Sequence, residues 1–331
     1  MQLDVIVPTH NSAAYIGPCL RSTREALAFA AARMPLTFRV WVVDTRSEDA
    51  TCSRVREWGA GVHLLCLERN VGFAAAVNTV IPLTRGHVWL LNPDTRPERE
   101  SLWFLLQRLE EARVGAVGPA LVRPDGRVAP ESARRFPSLF REGMDKVGLA
   151  TRWPARWGGY YLGGVEVPRP VPVLSGAALL VRREAWDAVK GLDERFWMYG
   201  EDTDLCRRLG DEGWVCFYEP RARVYHVGGG SGSPERRLEL GLAALGSMAY
   251  YFEKHHGPRA AGAYRLLMRG LALLKWVYWS LRGDAYHRAV QRAVLTFPFE
   301  PGPPPAAHPP SGGGRDDPRR RTREGGRTRG G

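Results

Sequence analysis

The sequence predicts an α/β protein: a mostly parallel sheet flanked by helices, with a helical extension at its C-terminal end. Three observations carry that reading. Short apolar runs alternate with helix-period segments from Leu3 to Val117, the pattern of successive βα units. Three of those runs stop on polar groups, at Thr9-His10-Asn11, at Asp44 and at Asn92/Asp94. Beyond residue 232 two longer segments show helical periodicity, and a Pro/Gly/Arg tail follows.

The elements follow in order. Leu3–Val7 is an apolar strand stopped by Pro8, and Ser12 is placed to cap a helix running towards Met34. Val40–Val43 is the next strand, and Ser47-Glu48-Asp49 opens a helix towards Trp58. Val62–Leu67 is a third strand, Gly72–Ile81 a helix, Val88–Leu91 a fourth strand with no alternation, as in a buried strand. Glu98–Ala112 is an amphipathic helix and Val114–Val117 another strand. From about Arg123 to Pro172 the periodicity breaks up, which reads as a long, partly ordered insertion. Val173–Val181 is a continuous apolar strand and Glu184–Val189 a short helix. Phe196–Leu209 ends as a helix with Asp204 and Arg208 at i,i+4, and Trp214–Tyr218 and Arg223–His226 are two further strands.

The 331 residues, 44% hydrophobic and 25% charged, suit a globular protein of one large domain or two. A net charge of +12 favours anionic partners. Five cysteines, odd in number and without a CxxC pair, argue against a disulfide framework or a zinc ribbon and for a reducing compartment. The N-terminal residues lack a basic segment followed by an apolar one, so the expected location is cytoplasmic.

The stretch Val88–Thr95, VWLLNPDT, carries the first chemistry. A carboxylate at the C-terminal end of a buried strand sits where open α/β sheets place ligands. Asp94 there suits a hard divalent cation, Mg²⁺ or Mn²⁺, that takes its other ligands from phosphates and water. Right-handed crossovers bring the other polar strand ends to the same edge of the sheet, so one site is the economical inference.

A set of ordered motifs resembles glycosyltransferase family 2, and within it the rhamnosyltransferase-like branch. The matching stretches are VIVPTHN (Val5–Asn11), VVDTRSEDAT (Val42–Thr51), RNVGFAAAVN (Arg69–Asn78), LLNPDT (Leu90–Thr95), LSGAALLVRREAW (Leu174–Trp186), MYGEDTDLCRRL (Met198–Leu209), HVGGGS (His226–Ser231) and SMAYYFEKHHG (Ser247–Gly257). The resemblance implies the GT-A fold, with a catalytic domain over residues 1–232. Its nucleotide-binding half would be about 1–120 and its acceptor-binding half about 121–232. It implies inverting transfer of a sugar, rhamnose from dTDP-rhamnose, onto a glycan or lipid-linked acceptor of cell-surface polysaccharide. Pro8, Thr9, His10, Asn11, Asp44, Asn78, Asn92 and Asp94 match nucleotide-sugar positions, and Ser175, Gly176, Trp197 and Tyr199 acceptor positions. Asp202 matches the general base, with Glu201 next in line. Asp94 matches the metal ligand, with Asn92 beside it where many relatives carry a second Asp, and His226 is a candidate metal or diphosphate contact. The chain departs from the family after Asp44, where Thr45 and Arg46 replace the usual Asn and small residue.

Residues 233–298 read as amphipathic helices. On a helical wheel Arg265, Arg269, Lys275 and Arg282 share one arc, and Leu266, Leu267, Leu271, Leu273, Leu274, Val277, Tyr278 and Leu281 lie opposite. The stretch is too charged to span a bilayer but suits a helix lying on an anionic membrane surface, peripheral at the inner face of the cytoplasmic membrane. A helix packed on the catalytic domain, its leucines buried, is the competing expectation. Residues 299–331 read as a disordered basic tail. Without aromatic interleaving, its Arg319-Arg320-Arg321 run points to no nucleic-acid partner. A catalytically inactive nucleotide-binding scaffold in a polysaccharide assembly complex is the alternative function, against which the retained Asp94 and Asp202 speak.

Overall fold

The computed structural model describes residues 1–152, 160–228 and 234–303. Its first half follows the expected alternation: β1 (Gln2–Thr9), α1 (Ala13–Ala31), β2 (Thr37–Asp44), α2 (Thr51–Arg56), β3 (His63–Cys66), α3 (Phe73–Val80) and β4 (His87–Leu91). β1 lies between β2 and β4, and β3 flanks β2, all parallel. The register pairs Thr9 with Asp44 and Asp44 with Cys66, which puts the polar strand ends along one edge. Ser12 stands at the N-cap of α1, but its side chain turns back to the His10 carbonyl rather than capping the helix.

The second half comprises β5 (Thr95–Pro97), α4 (Ser101–Leu109), β6 (Val114–Val122), β7 (Ala133–Arg134), α5 (Leu139–Lys146), α6 (Leu149–Arg152), β8 (Arg169–Pro170), β9 (Val173–Leu174), β10 (Ala178–Val181), α7 (Arg183–Ala188), α8 (Glu201–Asp211) and β11 (Val215–His226). Here the sheet becomes mixed. β10 runs antiparallel between β4 and β6, β11 is parallel to β6, and β5 and β8 lie antiparallel on β11. The run expected as one strand, Val173–Val181, breaks at Ser175–Ala177. β9 pairs with β7 in a separate two-stranded sheet, and β10 joins the main one. The two strands expected at Trp214–Tyr218 and Arg223–His226 are one strand with an irregularity between Glu219 and Arg223. Apolar side chains of α1 and α4 cover one face of the sheet, and those of α3, α7 and α8 the other.

Three helices follow: α9 (Pro234–His256), α10 (Pro258–Leu281) and α11 (Ala285–Thr296). α9 packs on the segment before α8 as well as on the helices that follow it. Its Tyr250 and Tyr251 pack on Phe196, and its Leu240 and Ala243 on Trp197. The buried Asp204 of α8 ties the two helices together, paired with Arg208 at 2.8 Å, Lys254 at 2.7 Å and His255 at 2.8 Å. A buried carboxylate with three such partners is stable where a lone one would not be. The other face of α9 packs with α10 and α11 around Leu242, Leu245, Phe252, Tyr264 and Met268.

α10 reverses the expected division of labour between its two sides. Leu267 and Leu271 are packed against the helical core, but Leu266 is 74% exposed, Leu281 85% exposed, and Leu273, Leu274, Val277 and Tyr278 also face outward. The basic side chains are instead engaged by the protein. Arg265 reaches Glu253 at 3.3 Å, Arg269 donates to the Phe297 carbonyl at 3.3 Å, Lys275 donates to the Lys146 carbonyl at 2.7 Å, and Arg282 lies over the Tyr278 ring. Among the described residues no helix is long and apolar enough to cross a membrane. The tail from residue 304, with Arg319–Arg321, and the Gly229–Ser231 end of the glycine-rich motif lie outside the described residues.

Candidate active site

The end of β1 and the turn after β2 are stitched into one surface. Thr45 donates its N–H to the Thr9 carbonyl at 2.9 Å, and the Asn11 N–H reaches the Ser47 hydroxyl at 2.8 Å. The Glu48 N–H donates to the Asn11 side chain at 2.8 Å, and His10 Nδ1 lies 2.9 Å from the Thr45 carbonyl. Asp44 is only 1% exposed, and its carboxylate accepts from Thr9 Oγ1, the Ser47 N–H and the Ser47 hydroxyl. These bonds tie Asp44 into the turn between β2 and Ser47. Pro8 and Thr9 are buried too, leaving half-exposed His10 and exposed Asn11 and Arg46 as the outward surface. Asn11 and Arg46 hold positive φ angles of 49° and 61°. Backbone in that region costs a non-glycine residue about 1 kcal/mol or more, and such strain gathers at ligand sites.

Sheet register assembles the second group. β5 pairs antiparallel with β11 so that Thr95 lies opposite His226. Asp94, one residue earlier, extends that ladder by accepting from the Val227 N–H through its carbonyl and from the Gly228 N–H through its carboxylate at 3.1 Å. Its Oδ1 stands 3.4 Å from His226 Nε2. Burial works to raise the Asp94 carboxyl, but His226 and the Gly228 N–H outweigh it and hold the group below the usual carboxylate range. One carboxylate oxygen and one imidazole nitrogen meeting at a strand end are a donor pair that fits Mg²⁺ or Mn²⁺ bound chiefly by a diphosphate and water. Among the described residues no cluster of three or more His, Cys, Asp or Glu could hold a metal by itself, so phosphate oxygens would have to complete the shell. Asn92 is half-buried in the turn before Asp94, and its N–H donates to the Ala177 carbonyl at 2.8 Å.

That bond joins the turn before Asp94 to the loop that enters β10. The Ser175–Ala177 loop brings the Gly176 N–H to Asp202 Oδ2 at 3.0 Å, while the Ser175 backbone is held by Ser132. Asp202, in the first turn of α8, also accepts from Arg134 at 2.8 Å and from the Thr203 N–H at 2.6 Å. Glu201 beside it is buried, with Oε2 lacking a partner, and burial together with the Asp202 charge pushes its carboxyl up to about 8. Sharp backbone precedes the pair: Tyr199 (φ 65°) and Gly200 (φ 86°) turn the chain into α8. Tyr199 is 47% exposed and faces the site, its hydroxyl raised by burial and then by Glu201.

Two expected contacts serve elsewhere. Trp197 is buried, wedged against Gly72, where a Cβ would come within 2.3 Å of the Trp197 carbonyl and 2.5 Å of its ring. Its ring packs on Leu240 and Ala243 of α9. Asn78 brackets the turn after α7, donating to the Leu192 carbonyl at 2.8 Å and to Glu194 at 3.1 Å and accepting from the Leu192 N–H at 3.2 Å.

The glycosyl transferase family 2 model matches residues 4–189, more than half of the chain. An N-acetylglucosaminyl-diphospho-decaprenol L-rhamnosyltransferase of Mycobacterium tuberculosis is 36% identical over 298 residues, covering 85% of this chain and 90% of its own. The chain belongs to glycosyltransferase family 2. A second model, the N-terminal domain of galactosyltransferase, matches residues 163–227 of this glycosyltransferase. A rhamnosyltransferase of Escherichia coli is 26% identical over 50% of this chain and 61% of its own. Among solved structures, a mannosyltransferase of Pyrobaculum calidifontis, in complex with GDP-Man and Mn²⁺, superimposes with a TM-score of 0.51 at 18% identity, covering 88% of this chain and 84% of that one. At that identity the likeness establishes the GT-A fold and nothing finer.

Arg134 is the site residue that sequence reasoning missed in this glycosyltransferase. It sits on β7, in a stretch without periodicity, and reaches Asp202 at 2.8 Å and Thr203 at 3.5 Å. The buried Tyr160–Glu142 hydrogen bond (2.8 Å) belongs to the same polar interior. A lone Arg among Arg, Pro and Gly reads as surface, and only its pairing with β9 turns it inward. The raised Glu201 carboxyl has a consequence for stability. The folded chain keeps that proton while the unfolded chain loses it at about 4.5, so this group's contribution falls as pH rises from about 4.5 to about 8. Glu201→Gln removes the slope. Urea unfolding at pH 5 and pH 9 is expected to show the variant gaining on the wild type at the higher pH, on the order of a few kcal/mol. An equal difference at both pH values would contradict the raised carboxyl.

Proposed function

We propose that this glycosyltransferase moves L-rhamnose, with inversion, from dTDP-rhamnose to a lipid-linked N-acetylglucosaminyl diphosphate in cell-wall polysaccharide synthesis. The observation that supports the reading is the join between Asn92 and Ala177, which links the turn carrying Asp94 to the loop whose Gly176 N–H reaches Asp202. A donor diphosphate at Asp94 and an acceptor hydroxyl at Asp202 face each other across the Ser175–Gly176 loop. The substrate choice rests on the 36% identical mycobacterial relative and the rhamnosyltransferase of Escherichia coli.

The chemistry follows from those placements. Asp202 takes the proton of the acceptor hydroxyl as its oxygen attacks the anomeric carbon. The bond to the diphosphate breaks on the opposite face, and its electron pair leaves with the phosphate oxygen. Arg134 and the Gly176 N–H hold the Asp202 carboxylate in place for that transfer. Asp94 and His226 are the residues that would hold Mg²⁺ or Mn²⁺, which supplies charge stabilisation for the departing diphosphate. His10, Asn11 and Arg46 provide the outward surface against which a nucleoside rests.

Asp202→Asn is expected to reduce transfer by about 10²-fold or more, the scale of losing a positioned base. Its affinity for dTDP with Mn²⁺, read by isothermal titration, should stay that of the wild type. Asp94→Ala should show the reverse, losing the metal-dependent part of dTDP binding. Full activity in the first variant, or unchanged metal-dependent affinity in the second, would reassign the roles.

The outward stripe of α10 supports attachment to the membrane that holds such an acceptor. Leu266, Leu273, Leu274, Val277 and Leu281 can enter the outer layer of an anionic bilayer while the net charge of +12 supplies attraction. Co-sedimentation with vesicles containing anionic lipid is expected to pellet the wild type. A Leu266→Asp/Leu273→Asp/Leu274→Asp variant, changed only at exposed positions, should stay in solution. Equal pelleting of the two would remove the stripe from this role.

A further inference from the structure

Two thiols meet beside the turn that carries His10, Asn11 and Arg46, and the transfer reaction uses neither. Cys52 lies in the first turn of α2 and Cys66 at the end of the edge strand β3, with their sulfurs 3.5 Å apart. Cys66 is exposed and Cys52 half-buried, whereas Cys19, Cys206 and Cys216 are buried. A reagent in solution therefore finds this pair before the other three thiols. A covalent S–S bond is about 2 Å long, so a small shift of either element would close it.

Three links run from the pair to that turn. In the β2–β3 ladder Cys66 lies opposite Asp44, and the Leu67 N–H donates to the Asp44 carbonyl at 2.8 Å. The Asp44 carboxylate, which accepts from Thr9 and the Ser47 N–H, also acts on the Cys52 thiol. Thr51, next to Cys52, accepts the Ser12 N–H on its hydroxyl at 2.8 Å, so the start of α2 is tied to the chain just beyond Asn11. The two thiols also differ in reactivity. Burial, then Cys66 and Asp44, push the Cys52 thiol up to about 12, which leaves it a poor nucleophile at neutral pH. The exposed Cys66 is the one a reagent meets first.

We propose that Cys52 and Cys66 form a modification site for low-molecular-weight disulfides, and that its closure into a Cys52–Cys66 disulfide lowers the affinity of the adjoining turn for the donor nucleotide. The inference rests on the nucleotide-binding part of the preceding reading. Cys66, as its thiolate, attacks one sulfur of the reagent, whose S–S bond breaks with its electron pair leaving on a thiolate. Cys52 then gives up its proton and attacks the Cys66 sulfur, expelling the second thiolate. Two protein thiols are thereby oxidised to one disulfide, one reagent disulfide is reduced to two thiols, and both protons end on those. Closure draws the first turn of α2 onto the end of β3, which shifts the anchor that Thr51 gives Ser12 and the surroundings of Asp44. Exposed disulfides are the labile kind, which excess thiol reopens.

Glutathione disulfide is the probe, applied to the full chain, with Cys66→Ser at its exposed position as the control. Tryptic digestion without reductant is expected to join Ser47–Arg54 to Glu57–Arg69, read by mass spectrometry. Isothermal titration of the oxidised wild type with dTDP and Mn²⁺ should show affinity lowered by about 5-fold or more, the scale of one lost hydrogen bond, and dithiothreitol should restore it. Cys66→Ser should bind dTDP like the reduced wild type before and after the treatment. A digest without the joined peptides, even one with glutathione on Cys66, overturns the proposal. So does a joined pair with unchanged affinity, or the same loss of affinity in Cys66→Ser. Transfer assays separate this from the reading it rests on. Absent transfer from dTDP-rhamnose, with dTDP binding that still responds to oxidation, would sink the rhamnosyl reading and leave the dithiol site standing.

Discussion

The antiparallel strand β10, seated between β4 and β6, is the constraint on which the site depends. A wholly parallel sheet would return each strand through a helix and present only C-terminal strand ends at this edge. By running the other way, β10 begins where β4 ends, and the Asn92 N–H meets the Ala177 carbonyl there at 2.8 Å. The loop that enters β10 then carries Ser175 and Gly176 to Asp202. Breaking the ladder at that end would separate the two groups of carboxylates even if each kept its own partners.

The second constraint is electrostatic. Four acidic residues, Asp94 before β5 and Glu201, Asp202 and Asp204 on α8, are each handled differently. Asp204 is neutralised by Arg208, Lys254 and His255 and ties α8 to α9. Asp202 faces one arginine and stays partly open, and Asp94 faces a histidine at the edge. Glu201 makes no ion pair among the described residues, and its burial and the Asp202 charge outweigh the pull of Arg134, so it holds its proton. Environments that push neighbouring carboxyl groups apart in this way divide acid, base and structural duties among residues of one type.

Much of the fold was legible because its strands are apolar runs that stop on polar residues, as at Thr9, Asp44 and Asn92. The direction of β10 was not, since periodicity carries no sign of strand direction. The motifs located Asp94, Asp202 and His226, but the duties of Asp44, Asn78 and Trp197 depend on hydrogen bonds and packing that only the folded chain displays. Arg134 became visible when β7 paired with β9. On α10 the wheel grouped all the leucines on one side, but the fold divides them. The bases found carbonyl and carboxylate partners, Leu267 and Leu271 packed inward, and Leu266, Leu273, Leu274 and Leu281 were left outside.

The central claim is that one edge of this sheet couples a nucleotide-linked rhamnose to an acceptor hydroxyl by a single inverting displacement. It is tested most directly by incubating the full chain with dTDP-β-L-rhamnose, Mn²⁺ and a lipid-linked N-acetylglucosaminyl diphosphate, and by reading the anomeric configuration of the product by NMR. The account predicts an α-L-rhamnosyl product released together with dTDP. A β-linked product, or no transfer from any nucleotide sugar under conditions where dTDP binds, would contradict it.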